Sequence, residues 1–390
     1  MIDLLKSDNN KSALLVVLVT SSFITLILIS TIIQPLKTSS INFGYEINTT
    51  TLYIMENGEK AIRHQIDYST NPYNNSLDKN SLWLMNLDGT EEELLYTNHG
   101  DPPNSIVSSR DGNFIAYKIE HYNEYNIYTE LWLLNVGNKE KKCIYYLNNS
   151  NGFTNNVMDL DFTSTGDRIV FSVFTVEARD PLGKDHSSSI YSIDINSYEI
   201  HRIYYQDNYT IFGLDVSPND RWVTFISGSG DYYGGSDLYI MNLDGTEIRM
   251  INECPEIPLY TYEYEMPTFS QNGEKIIFVQ EKQFATSARM YDIYMVDIDG
   301  KNKIKLFHGD YEEPIYDLKT TLNGKIIFTH ESIINQMEYN ESRLIFIILL
   351  KIISTISIVL GIVGLLILWN KKRKQKLSSQ NYFNLTGGRA

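Results

Sequence analysis

Positive charge is scarce in this chain. Lys and Arg number 33 against 48 Asp and Glu, and between residues 37 and 343 the imbalance is 24 against 46. A net charge of −22 over that stretch excludes the basic surface that phosphate binding needs, so nucleic acid is not an expected partner. Such a surface stays soluble and is repelled by anionic lipid. Proline is scarce too, at 10 residues, while Tyr (28) and Phe (16) abound. That balance excludes a disordered chain and favours strands. Chemical motifs are missing as well. The seven histidines (64, 99, 121, 186, 201, 308 and 330) show no H-x-x-x-H or H-x-H spacing. DPLGKD (180–185) lacks the alternating ligands and final Glu of an EF-hand. No metal and no cofactor are expected. The glycine-rich SGSGDYYGGSD (227–237) lacks G-x-S-x-G and reads as a surface loop. On these grounds the chain reads as a non-enzyme.

Long apolar runs occur in two places. Residues 13–33 carry no charge over 21 positions, and 352–369 carry none over 18, with LIFIILLK extending that run back to Leu344. A hydrocarbon core about 30 Å thick needs roughly 20 apolar residues as helix, so both segments are expected to span a membrane. Lys351 sits near one end of its span, where its stem can snorkel, and Trp369 falls at the other boundary. The first run is longer than a signal-peptide core and no A-x-A site follows it, so it reads as an uncleaved anchor. Lys6 and Lys11 precede the first span, and KKRKQK (371–376) follows the second. The positive-inside rule then places both ends in the cytoplasm. The expected organisation is a cytoplasmic N-terminus (1–12), a first span (13–36), an extracytoplasmic domain (37–343), a second span (344–369) and a short basic cytoplasmic tail (370–390).

The outer domain is repetitive. MNLDGTE occurs at 85–91 and again at 241–247. A second pattern, an apolar stretch, a tight turn and a run ending in an aromatic residue, reads VSSRDGNFIAY (107–117), FTSTGDRIVF (162–171), VSPNDRWVTF (216–225), FSQNGEKIIF (269–278) and TTLNGKIIF (320–328), with a weaker copy at 53–62. Its turn residues Gly58, Gly112, Gly166, Asp220, Gly273 and Gly324 are spaced 54, 54, 54, 53 and 51 apart. Asn-Gly and Asp-Gly supply the positive φ that tight hairpins demand. Between the hairpins lie LWLMNLDG, LWLLNVGN, IYSIDINS, LYIMNLDG and IYMVDIDG, apolar on both faces and therefore buried on both. Each unit is four strands that must stack on its neighbours. Blades around an axis satisfy this, so the fold class is all-β, a six-bladed β-propeller ectodomain flanked by N- and C-terminal transmembrane helices.

These motifs resemble the TolB-type propeller repeat, over about residues 50–330. That repeat builds the six-bladed domain of the periplasmic Tol-Pal protein, and related blades cap prolyl oligopeptidases. The resemblance implies a fold, because the shared residues are turns and core. The first blade departs from the pattern, with Arg63 at the position of the anchor aromatic. Five units are complete and the hairpin at 315–330 lacks its outer pair, which INFGYEI (41–47) and a strand within 331–340 can supply. Short turns then share one face, toward the membrane, and long loops the other.

Candidate ligand-binding residues are the tyrosines of those long loops: Tyr122, Tyr125, Tyr128, Tyr232, Tyr233, Tyr260, Tyr262 and Tyr264, since Tyr combines large area, few rotors and a polar tip. Sequons mark Asn48, Asn74, Asn148, Asn208 and Asn340 as possible glycosylation sites. Cys143 and Cys254, on outer strands two blades apart, are expected to remain free thiols. The function expected is a membrane-anchored scaffold for an envelope protein or a glycan. The alternatives are a propeller lyase or hydrolase using central-channel residues, and an envelope receptor that transmits a signal through its two helices.

Overall fold

The structure, a computed structural model, describes residues 38–41, 50–55, 58–68, 78–122, 127–148, 153–177, 186–228, 236–252, 260–284, 289–311, 313–330 and 333–338. Strand β1 (Thr38–Ile41) precedes a first sheet of β2 (Thr50–Ile54), β3 (Lys60–Asp67), β4 (Lys79–Asn86) and β5 (Glu93–His99). The second is β6 (Pro103–Ser108), β7 (Phe114–Tyr122), β8 (Ile127–Asn135) and β9 (Lys141–Asn148), and the third β10 (Phe153–Phe162), β11 (Arg168–Glu177), β12 (His186–Asp194) and β13 (Ile200–Asp207). The fourth is β14 (Thr210–Val216), β15 (Trp222–Gly228), β16 (Ser236–Asn242) and β17 (Arg249–Asn252). The fifth is β18 (Tyr260–Phe269), β19 (Lys275–Phe284), β20 (Arg289–Asp297) and β21 (Ile304–Tyr311). These five sheets are each one continuous stretch of chain in simple up-and-down order, as the repeat predicts. The remaining strands, β22 (Ile315–Thr320), β23 (Lys325–His330) and β24 (Ile333–Glu338), form a composite sheet with β1, in the order β1-β24-β23-β22.

The fold is thus an all-β propeller with five blades of continuous chain and a composite sheet made from both ends. The strand that completes this sheet is 38–41, not 41–47 as expected, and it runs antiparallel to β24 with Thr38 opposite Met337. The first strands of neighbouring sheets lie against one another and so face the axis. Turns joining first to second and third to fourth strands share one end, the turn face. Both β1 and β24 meet the turn face at their outer ends, because Glu338 pairs with Lys325, just beyond the Gly324 turn. The two apolar runs at 13–36 and 344–369 lie outside the described residues, among which no helix is long and apolar enough to cross a membrane.

The repeated heptapeptide folds the same way twice. In each copy the third strand ends in a turn capped by its own side chains. Thr90 donates its N–H to Asp88 Oδ1 at 3.0 Å and Asn86 Nδ2 donates to Thr90 Oγ1 at 3.0 Å. Thr246, Asp244 and Asn242 repeat both bonds at 3.0 and 2.8 Å. Gly245 is required for a second reason. A Cβ there would lie 2.2 Å from the carbonyl oxygen of Ile203, on the outer strand of the preceding blade, and one on Gly300 would lie 2.7 Å from the oxygen of Ile251. The turn is therefore a blade-to-blade contact as well as a reversal.

Packing between blades follows the two-sided burial of the middle strands. All seven residues of β15 are buried. One apolar cluster joins Leu131 and Ile144 of the second blade to Val157, Phe171 and Ile193 of the third. The anchor aromatics Tyr117, Phe171, Phe225, Phe278 and Phe328 are all fully buried. Burying each stabilises by about 1.5–3 kcal/mol. Four of them pair across strands with a further aromatic ring: Tyr117 with Trp132, Phe171 with Tyr191, Phe225 with Tyr239 and Phe278 with Tyr294. Arg63 takes the anchor position in the first blade opposite Trp83. Its guanidinium stacks 5.1 Å from the Trp83 ring and pairs with Glu92 at 2.8 Å. A cation–π contact here replaces an aromatic pair.

Candidate functional site in the axial channel

Each first strand of the second to fifth blades carries a register shift, and so does β22. The shifts fall at Asn104/Val107, Val157/Asp159, Phe212/Asp215, Glu265/Thr268 and Tyr316/Lys319. A bulge removes backbone groups from the ladder, and those groups need other partners when buried. In β14 and β18, carboxylates of the preceding blade take up backbone amides at and just beyond the bulge. Asp159 Oδ2 accepts from Leu214 N–H at 2.8 Å, Asp161 Oδ2 from Val216 N–H at 2.8 Å, and Asp215 Oδ2 from Phe269 N–H at 2.7 Å. The sequence pattern MDLDF at 158–162 thus places two acids on the axis, each stitched to the next blade.

A cationic group enters the same space from the second strand. Lys118, buried, donates from Nζ to the carbonyl of Val157 at the bulge and pairs with Glu120 Oε1 at 2.7 Å. Burial pushes the Asp159 carboxyl above its ordinary range. The amides of Leu214 and Leu160 and the ammonium groups of Lys118 and Lys319 pull it back only in part. The Asp159 residue is half-buried on the axis-facing strand β10. Its carboxyl is nevertheless crowded by protein, which is the source of the shift.

The turn-face end of the axis is crossed by hydrogen bonds. Arg110 Nη1 donates to the carbonyl of Pro218, two blades away, at 2.8 Å. Ser164 N–H and Oγ donate to Asp220 at 2.5 and 2.8 Å, and Gln271 Nε2 donates to the Leu322 carbonyl. The cavity left among Arg110, Asp161, Ser164, Pro218, Gln271 and Thr321 measures about 30 Å³. That is room for about two waters.

The expected tyrosine site is dispersed. Tyr122 ends β7, while Tyr260, Tyr262 and Tyr264 stand on β18, which pairs with β19 from Tyr260 opposite Phe284 onward. The stretch 260–265, expected within a loop, is a strand. Tyr125, Tyr232 and Tyr233 lie outside the described residues. Tyr128 is half-buried, stacks on His121 with centroids 4.4 Å apart, and lies 5.4 Å from the Tyr146 ring. Burial raises the Tyr128 hydroxyl, followed by the charge of Glu130. Of the sequons, Asn208 is exposed in the turn between β13 and β14 at φ 59°, and Asn148 ends β9. Asn48, Asn74 and Asn340 lie outside the described residues. Cys143 is a half-buried free thiol, raised by burial and by Glu130; Cys254 also lies outside.

Histidine spacing gives His121 no role, whereas the structure gives it a defined place. Its Nδ1 is 2.8 Å from Asp101 Oδ2 and its Nε2 3.3 Å from Glu130 Oε2. Trp132 Nε1 donates to the same Glu130 oxygen at 2.8 Å. No local motif links residues 101, 121 and 130. The hairpin register, with His121 opposite Tyr128, brings Glu130 to the ring, and the crossing from the first blade brings Asp101.

No family model matches the chain. It is similar to the probable dipeptidyl-peptidase 5 of Aspergillus clavatus, 26% identical over 121 residues, which covers 29% of this chain and 17% of that protein. The matched stretch is thus less than a fifth of the relative's length. Among solved structures it is similar to oligogalacturonate lyase from Vibrio parahaemolyticus, at 14% identity and TM-score 0.47, covering 79% of this chain and 98% of that one. It is similar also to a putative TolB from Agrobacterium tumefaciens, at 17% identity and TM-score 0.46, covering 71% and 90%. The Pyrococcus horikoshii acylaminoacyl peptidase follows at 14% identity and TM-score 0.48, covering 75% and 46%. These structures share a propeller fold with the chain. The expectation of a non-enzyme is corrected by the curated relative, a peptidase by name, and lyases and peptidases stand among the solved neighbours. Local residue spacing carries no sign of the axial groups, because they come from separate blades.

Proposed function

We propose that this chain is a membrane-anchored, extracytoplasmic propeller enzyme of the hydrolase class. Its substrate is an extended peptide, free or part of an envelope protein, that enters the axis from the loop side past Tyr128 and the neighbouring tyrosines. The composite sheet of β1 and β22–β24 serves as the sixth blade and closes the ring. The observation that carries this reading is the setting of Asp159 on the axis-facing strand β10, bonded to the Leu214 amide of the next blade and in the field of Lys118 and Lys319, with burial raising its carboxyl. A strongly perturbed acid with specific charge partners in a cleft is the usual mark of a functional site. The similarity to a peptidase supports the choice of peptide as substrate.

In this reading Asp159 is the acid–base group. Water adds to the peptide carbonyl carbon, its proton passing to the carboxylate, and the same proton is returned to the leaving amine as the C–N bond breaks. The ammonium of Lys319 stabilises the oxyanion that develops in between. The test is turnover of a panel of short peptides by the purified full-length chain. Asp159→Asn is expected to lower kcat about 100-fold or more with little change in KM, within the range of general acid–base effects. Lys319→Met is expected to lower it about tenfold or more. The reading fails if the unaltered protein leaves every peptide intact, or if Asp159→Asn cleaves as fast as the parent.

A further inference from the structure

The imidazole of His121 lies between two carboxylates on different parts of the chain. Asp101 belongs to the link between β5 and β6, the crossing from the first blade to the second. Glu130 stands on β8, inside the second blade. The link is already tied to the first blade. Gly100 N–H donates to the Asp78 carbonyl at 3.0 Å, and Asn80 Nδ2 donates to the Gly100 carbonyl at 2.8 Å. His121 supplies the matching tie to the second blade, at 2.8 Å through Nδ1 and 3.3 Å through Nε2.

A neutral imidazole has one N–H and one lone pair, so it can donate to one carboxylate only. The other oxygen then faces a lone pair at hydrogen-bond distance. The imidazolium form donates to both, and such charge-assisted bonds are the stronger kind. The geometry points to a proton-dependent latch at the first-to-second-blade seam, closed when His121 carries two protons and released when it carries one. The axial carboxylate stitches described above join the third blade to the fourth and the fourth to the fifth, through Asp159, Asp161 and Asp215. The His121 contact sits at a different seam, and β6 leaves the link directly to line the axis. Releasing the latch loosens the start of a channel strand.

On the first-blade side of the link, His64 Nε2 meets Asn80 Oδ1 at 3.4 Å and is lowered by burial, while phenols, a thiol and an ammonium group lie around Glu130 and His121. Tyr128, stacked on the imidazole, has its hydroxyl raised, and Tyr146 lies behind it. Tyr96 and Tyr117, which feel Glu130, are raised further, Tyr96 to about 12. Cys143, also in the field of Glu130, is raised. Lys141 lies over Trp132 and Tyr96, and Glu120 pairs with Lys118 one residue before the histidine. The sign follows from the geometry: both bonds are complete while the ring carries two protons, and one is lost with the second proton as pH rises.

Hydrogen exchange on the full-length chain tests the latch. After correction for intrinsic rates, amides of residues 99–106 are expected to exchange about tenfold more slowly at pH 5.5 than at pH 7.5, the ratio expected for one charge-assisted bond. His121→Gln removes the titrating ring and should give equal protection at both values. Glu130→Gln leaves an amide that can donate to the neutral ring, so it should also show no pH dependence. It serves if the first variant does not fold. Equal protection of the parent at both pH values overturns the latch, and so does a pH difference that persists in either folded variant.

Discussion

Asp220 stands where the other first-to-second-strand turns carry glycine, and its carboxylate binds Ser164 in the preceding blade. It adopts φ 55°, a left-handed conformation that its glycine counterparts reach freely. What the aspartate adds is contact: its Oδ1 accepts from Ser164 N–H at 2.5 Å and its Oδ2 from Ser164 Oγ at 2.8 Å. Asp220→Gly removes backbone strain of about 1 kcal/mol and bonds to a charged group worth about 1.5–3 kcal/mol. A net destabilisation of about 1 kcal/mol is expected in urea unfolding. Asp220→Asn, which keeps one acceptor, should fall between that variant and the parent.

Gly245 and Gly300 make the opposite case, where no side chain is tolerated. Both have positive φ, at 85° and 82°, and both meet a neighbouring carbonyl at 2.2 and 2.7 Å from a built Cβ. Gly245→Ala should cost about 2 kcal/mol or more, from left-handed strain plus displacement of β13. Gly137→Ala, whose nearest contact is a side-chain oxygen at 3.5 Å, should be close to neutral. Equal melting temperatures for the two variants would show that the turn does not press on the next blade.

Much of this architecture is legible in the sequence, because turns and core are local. The spacing from Gly58 to Gly324 marks the hairpins, and the aromatic at the end of each marks the fully buried anchor. Even the departure at Arg63 is visible. The contacts that matter for chemistry are not. Asp159 reaches Leu214 across 55 residues, and Asp101 and Glu130 meet His121 only through a hairpin and a crossing. The repeat predicts that blades stack, but a carboxylate on an apolar strand looks the same whether it faces solvent or the axis. The bulges that turn Asp159 and Asp215 toward the next blade's amides have no single-residue signature here.

Closure by β1 makes the N-terminal strand part of the fold. A chain lacking residues 38–49 exposes the open edge of β24 and breaks the composite sheet. Unpaired edges of this kind invite association. Thermal melting and light scattering of residues 50–343 beside 37–343 should show a lower melting temperature and aggregation. A monomer with an unchanged melt would mean that β1 contributes nothing to the ring.

The proposed topology puts both chain ends in the cytoplasm. Within the described fold, β1 starts and β24 ends on the turn face. A cysteine at position 380 should react with a membrane-impermeant maleimide only after the cells are opened. Labelling in intact cells would reverse the assignment.

The raised carboxyl of Asp159 has a consequence for stability that does not depend on substrate. Its folded-state value lies above the ordinary 3.8, chiefly through burial. The folded chain therefore holds this proton more tightly than the unfolded chain does. The group's stabilising contribution is complete below about pH 3.8 and is lost as pH rises toward the folded value. Asp159→Asn cannot titrate, so the difference in unfolding free energy between parent and variant should move in the variant's favour as pH rises from about 4 to neutrality. Other carboxylates, such as Asp88 and Asp244, are lowered by their bonds to Thr90 and Thr246 and push total stability the other way. They are present in both proteins and cancel in the difference. Urea unfolding of the two at half-unit pH steps measures it. A flat difference would mean that the Asp159 carboxyl titrates as it does in the unfolded chain, and the proposed function would lose the perturbed acid on which it rests.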